Sequence, residues 1–236
     1  FSDNNGIEIA KFFDQVVSEY LIFVKIVVED VLNAYVIFET LNDRGVKLST
    51  TDLLKNYLFS LASNDNELKL IMSRWDKLIG IVNEKEFPDF LRYYINSKES
   101  FVRKENLFKR VRNNITKKNF MSEFNNLETF AYIYSALSDS TDEIWTREQK
   151  EYLENLKLYK NNKMFKLVAM PAKVYLEDKE FTKVLKLLST IVFRYTIISE
   201  RTSNDMERVY NSTANEISDG IIVTANEIFS KMRTKL

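Results

Sequence analysis

The chain has 236 residues, with 34 Lys+Arg balanced by 34 Asp+Glu, so its formal net charge is zero. It contains no His and no Cys, which excludes disulfides, thiolate or His-ligated metal sites, Ser-His-Asp catalysis and an HNH nuclease centre. Hydrophobic residues make up 45%, with only four Gly and two Pro. Long regular elements around a sizeable core are therefore expected, with few tight turns and no disorder.

The start, Phe1-Ser2-Asp3, has neither an initiator Met nor the basic and apolar regions of a signal peptide, so the chain is expected to be a piece of a longer protein. Ile7, Ile9, Phe12, Phe13 and Val16 fall at near-helical spacing. Tyr20 to Val28 is dense in β-branched and aromatic residues and predicts a strand. Its apolar run Leu21 to Val24 is broken by Lys25, and no stretch reaches the roughly 20 apolar residues of a membrane span. Ala34 to Leu41 predicts a short helix stopped at Asn42-Asp43-Arg44-Gly45. Ser49-Thr50-Thr51-Asp52 is a capping box opening the next helix, in which Leu53, Leu54, Tyr57, Leu58 and Leu61 form one apolar face. Beyond Ser63 the pattern predicts helices over 65–84, 86–97, 104–118, 120–138, 146–159, 162–177, 180–199 and 205–234. Pro88 suits a first turn, whereas Pro171 predicts a kink or break. Trp75, Trp145 and the aromatic positions of 120–134 read as core, and Arg194, set among apolar residues, should meet a carboxylate or a helix end.

One segment has a family character. Phe38-Glu39-Thr40-Leu41-Asn42-Asp43-Arg44-Gly45-Val46-Lys47-Leu48 resembles the F-E-x-L-N-x-R-G-x-x-L signature of the ParB-like, GmrS-type domain of modification-dependent restriction enzymes. Asp52-Leu53-Leu54-Lys55-Asn56 resembles that family's D-L-L-K-N run. The resemblance is specific over residues 12–62 and elsewhere is one of helical texture. It implies a protein that binds and hydrolyses nucleoside triphosphate, with a divalent metal, and acts with an HNH nuclease on modified phage DNA. Two departures stand out. The family's D-G-Q-Q-R motif is absent, since the chain's Asp219-Gly220 is followed by Ile221-Ile222, and no nuclease His is present. No catalytic residue, resident cofactor or metal ligand is therefore assigned to this stretch. Glu39, Asn42, Asp43, Arg44 and Gly45 are nucleotide-binding candidates. Arg44 offers a planar fork for phosphate, and the capped helix after it offers free N–H groups. The structural alternative is a helix–loop–helix corner, with Gly45 as a left-handed C-cap and Asn42 bonding nearby backbone.

Charge supplies a second candidate site. Lys98 to Lys118 holds eight basic residues against Glu99 and Glu105, a net charge of +6, whereas residues 1–62 carry −4. On a helical wheel Leu107, Phe108, Val111 and Ile115 share one side, leaving Lys109, Arg110, Arg112 and Lys117 outside it. With Arg103, these four are candidates for contact with a nucleic-acid backbone. A solvated face, or pairing with the acidic N-terminal part, is the other reading.

The expected fold is mainly α, a bundle-like array of helices with a short β-strand remnant near the N-terminus, α+β at most. Residues 1–63 read as the C-terminal part of a ParB-like domain and 64–236 as a helical domain. The expected function is that of a non-catalytic helical part of a GmrS-like restriction or anti-phage protein, cytoplasmic and without a membrane partner. DNA and an HNH nuclease domain are the expected partners, and the open edge of the strand makes a homodimer an expectation. A DNA-binding module acting through the basic helix, and a helical scaffold unrelated to defence, are the alternatives.

Overall fold

The computed structural model describes residues 4–17, 49–103, 106–158, 163–194 and 203–235. The predicted strand at 20–28, the helix at 34–41 and the Glu39-to-Gly45 loop lie outside the described residues. Among those described there are eleven α-helices and no strand, so the fold is mainly α. By its contacts the chain divides into two compact units, Phe1–Gly45 and Val46–Leu236.

In the first unit, α1 (Asn4–Lys11) passes into one π-helical turn, Phe12–Val17. Ile7, Ile9, Phe12 and Phe13 are all at least half exposed.

The second unit carries α2 (Thr50–Ser60), α3 (Asp65–Val82), α4 (Phe87–Asn96), α5 (Leu107–Asn114), α6 (Phe120–Ala136), α7 (Arg147–Lys157), α8 (Lys166–Tyr175), α9 (Asp178–Phe193), α10 (Ser203–Ser218) and α11 (Ala225–Lys235). α2 packs on α3, α4 and α5. Its capping box forms as the sequence implies: the Asp52 N–H donates to Ser49 Oγ at 3.1 Å, and the Ser49 N–H donates to Asp52 Oδ2 at 3.2 Å.

α8 is the centre. Every residue from Lys166 to Ala172 is buried, as an apolar sequence on all sides requires, and α4, α6, α9 and α10 pack around it. The helix runs on through Pro171 without a break. An aromatic core fills the space between α3, α4 and α6. Trp75 meets Phe87 edge-on at 5.1 Å, Phe90 meets Tyr134 at 5.5 Å, and Tyr94 meets Phe130 at 5.1 Å. Trp145 is 4% exposed, and its indole N–H donates to Ala136 O and Asp139 O at the end of α6. Arg194 is the exposed C-cap residue of α9, not a buried side chain.

Two predicted helices are reshaped. The expected helix at 205–234 is two helices, α10 and α11. Gly220 takes φ +70°, and the Ile221 N–H bonds back to Glu216 O at 2.8 Å, a left-handed termination. Thr224 then starts α11, with the Glu227 carboxylate accepting the Val223 and Thr224 N–H groups at 2.9 Å. The expected helix at 104–118 is described only as α5 and its flanks, and it stops at Asn114. The Asn119 side chain closes it, donating to Asn114 O and accepting the Thr116 N–H, both at 2.7 Å.

Candidate nucleic-acid interface

The basic segment is shaped by the end of α4. The last carbonyls of any helix lack partners within it, and here α10 supplies them. Asn211, Asn215 and Ser218 fall at i, i+4 and i+7, one face of α10. Asn211 and Asn215 both donate from Nδ2 to Asn96 O, the latter at 2.7 Å, and Ser218 Oγ donates to Ser97 O at 2.7 Å. The Asn211 carboxamide also reaches Glu99 O at 3.0 Å. Asn96, fully buried, grips the other end of the same loop: its Oδ1 accepts the Val102 N–H at 2.7 Å and its Nδ2 donates to Val102 O at 3.2 Å. Residues 97–102 are thus tied to the core by neutral donors and acceptors at both ends.

α5 is held from its other side. Leu107 and Val111 are buried, Phe108 meets the Tyr57 ring edge-on at 6.2 Å, and Tyr57 OH bonds to Ile115 O at 2.5 Å. Burial raises the Tyr57 phenol above its ordinary range, so it remains a donor. Between the clamped loop and α5 lies an open groove of about 510 Å³, lined by Phe101, Val102, Arg103, Asn106, Lys109, Arg110 and Asn113.

The groove brings together three of the five basic candidates, Arg103, Lys109 and Arg110. Among the described residues Arg103 and Lys109 pair with no carboxylate, whereas Arg110 Nε lies 2.5 Å from Glu99 Oε2. Arg112 and Lys117 are exposed but do not line the groove. Lys117 falls in the turn after α5. The Glu67 carboxyl, at the start of α3, is held below its usual range first by the Ser63 N–H and last by the Lys117 charge. Lys98, part of the same basic run, turns inward, donating to Tyr94 OH at 2.7 Å and lying 3.8 Å from Glu123. Burial lowers its pKa.

Phe101, Asn106, Asn113 and Glu99 were not among the candidates. Asn106, Lys109, Arg110 and Asn113 have the i, i+3, i+4, i+7 spacing of one helical face, a signal present in the sequence. The clamp from α10 has no local signal, since its bonds join residues 112 to 121 positions apart.

The nucleotide-binding candidates Glu39, Asn42, Asp43, Arg44 and Gly45 lie outside the described residues. At the N-terminus of α2, which the phosphate-cradle reading invoked, the Asp52 carboxylate already accepts the Ser49 N–H and, at 2.6 Å, its hydroxyl. An anionic ligand there would meet this carboxylate. Among the described residues there is no group of three acidic, His or Cys side chains arranged to hold a metal ion, and no helix is long and apolar enough to cross a membrane.

Residues 1–59 match the family of the GmrSD restriction endonuclease, N-terminal domain. The resemblance read from Phe38 to Asn56 is borne out over that stretch. No curated protein matches the chain.

Proposed function

We propose that this chain is a non-catalytic helical part of a restriction or anti-phage protein of the GmrSD kind and that its groove holds the phosphates of DNA. The observation that carries this is the convergence of Arg103, Lys109 and Arg110 on one open groove beside the clamped loop. Cations at fixed spacing on such a surface suit a phosphate backbone, whose affinity comes largely from counterion release. Asn106 and Asn113, on the same face, are of a side-chain type that can reach base edges.

In the longer protein, the ParB-like loop at Glu39, Asn42, Asp43, Arg44 and Gly45 positions nucleoside triphosphate with its divalent metal, and an HNH nuclease domain supplies the cutting, in the cytoplasm. Support for this finer reading comes from the family match alone.

The test is anisotropy of a labelled DNA duplex titrated with the chain at several salt concentrations. Binding that falls steeply with salt, and is weakened by Lys109→Ala and Arg103→Ala more than by Lys117→Ala, supports the groove. Equal weakening by all three would reduce the site to general surface charge. For the nucleotide loop, Arg44→Ala in the full-length protein should lower nucleotide affinity while leaving the melting temperature within a degree or two of the parent.

A further inference from the structure

We propose that Glu99 is a built-in stand-in for a phosphate: it occupies Arg110 in the free chain, and a phosphodiester oxygen of the nucleic acid displaces it on binding. This rests on the reading of the groove as a nucleic-acid interface.

A guanidinium takes carboxylate and phosphate oxygens through the same planar fork of donors. Glu99 presents that chemistry to the groove. Its Oε2 lies 2.5 Å from Arg110 Nε, and its Oε1 accepts a hydrogen bond from Asn114 Nδ2. The carboxylate is built in, because its backbone carbonyl is fixed by Asn211 at 3.0 Å. The pair nevertheless stays open to exchange, with the Glu99 side chain 26% and the Arg110 side chain 44% exposed. Partly exposed ion pairs are weak and screened by salt, so a polyanion already held by neighbouring cations can compete for one member.

Those neighbours are Arg103 and Lys109, which line the same groove and pair with no carboxylate among the described residues. They supply the first attachment, and Arg110 is recruited second. An isolated phosphate gains too little to displace Glu99, whereas a phosphodiester chain anchored at Arg103 and Lys109 delivers the next phosphate at high local concentration. Glu99 therefore tunes the groove towards polymers and against free phosphate.

The experiment is a double-mutant cycle on the whole chain: wild type, Glu99→Gln, Arg110→Ala and the double variant, each titrated with a labelled DNA duplex across a salt series, with inorganic phosphate as competitor. Gln preserves the shape and an acceptor for Asn114 while removing the charge, and melting temperatures check the fold. Glu99→Gln should bind about three- to tenfold tighter with its salt slope little changed, because Arg110 meets a phosphate in both complexes. In the Arg110→Ala background the same substitution should change affinity by less than about twofold. Millimolar phosphate should compete better against Glu99→Gln than against wild type.

A slope steeper by about 0.9 in Glu99→Gln, which would leave Arg110 on Glu99 in the wild-type complex, or an equal gain with and without Arg110, overturns the proposal. If Lys109→Ala weakens wild-type binding while Glu99→Gln changes nothing, only the role of Glu99 falls. If wild type shows no salt-dependent binding at all, the groove reading falls with it.

Discussion

Two helix ends in this molecule solve one problem by different chemistry. The C-terminal carbonyls of α4 receive neutral donors, the carboxamides of Asn211 and Asn215 and the hydroxyl of Ser218. The end of α6 receives the Trp145 indole and a buried ammonium: Lys166, 3% exposed, donates to Tyr134 O at 2.9 Å and Ser138 Oγ at 2.5 Å, and lies 3.6 Å from the centre of the Tyr134 ring. A cation at a helix C-terminus is favoured by the helix dipole, but burying it is costly. Burial pushes the Lys166 pKa down to about 7, against an opposing pull from Glu86. The α4 end, which shapes the groove, is capped by carboxamides and a hydroxyl that do not titrate. The α6 end is pH-sensitive and lies in the core.

The largest effect should come from Asn96→Ala, which strips both partners from Val102. Each of the two orphaned buried groups costs roughly 1–3 kcal/mol, so a loss of about 2–6 kcal/mol is expected in urea unfolding. Weaker DNA binding should accompany it. A cost below about 1 kcal/mol would show that the loop holds itself and that the clamp is incidental.

The pH contrast comes next. The folded pKa of Lys166, about 7, lies below the ordinary value of 10.5. Between the two values the unfolded chain binds the extra proton, so stability rises with pH, and the penalty is fully present below pH 7. Relative to Lys166→Met, the wild type should gain up to about 2 kcal/mol between about pH 7 and 9, read from urea midpoints. Glu86, held below its usual range mainly by Lys163, and Tyr134, raised by burial, keep their protonation states across that window. The same pH series on Asn211→Ala should show a constant offset. If both variants respond alike to pH, the contrast is lost.

Gly220→Ala sharpens the comparison from the far side of the clamp, because Gly220 ends the helix that carries Ser218. An added Cβ meets nothing within 4 Å, so the cost is that of φ +70° alone, about 1 kcal/mol in melting experiments. Lys109→Ala should have the smallest effect on stability, below about 0.5 kcal/mol, yet lower the salt slope of DNA binding by about 0.9. A large stability loss there would mark Lys109 as structural.

Local signals in the sequence were sufficient where local physics decides. The Ser49-x-x-Asp52 box, the buried Trp75 and Trp145 and the apolar face of α2 all stand where periodicity puts them. The split between α10 and α11 was also written locally, in Asp219-Gly220 followed by Thr224-x-x-Glu227. The apolar period continuing through Ile221, Ile222 and Ile228 masked it. The end of α5 was harder to see, because Asn119 and the Tyr57 hydroxyl from α2 impose it. Of the basic run, periodicity separated an apolar stripe from a charged face. It did not distinguish Lys98, drawn inward by Tyr94 and Glu123, from Arg103 and Lys109 on the groove. Side-chain direction at a loop is a tertiary property, set here by bonds to a helix more than a hundred residues away.

The length of that bond has a consequence during synthesis. Asn211 lies 115 residues after the carbonyl it secures. Chains emerge from the ribosome N-terminus first, at about 5–20 residues per second, so α4 and α5 are exposed for several seconds before α10 arrives. Contacts of such long sequence separation tend to form late. The newborn chain thus carries its basic residues on an unshaped loop, and the groove exists only once translation has passed Ser218.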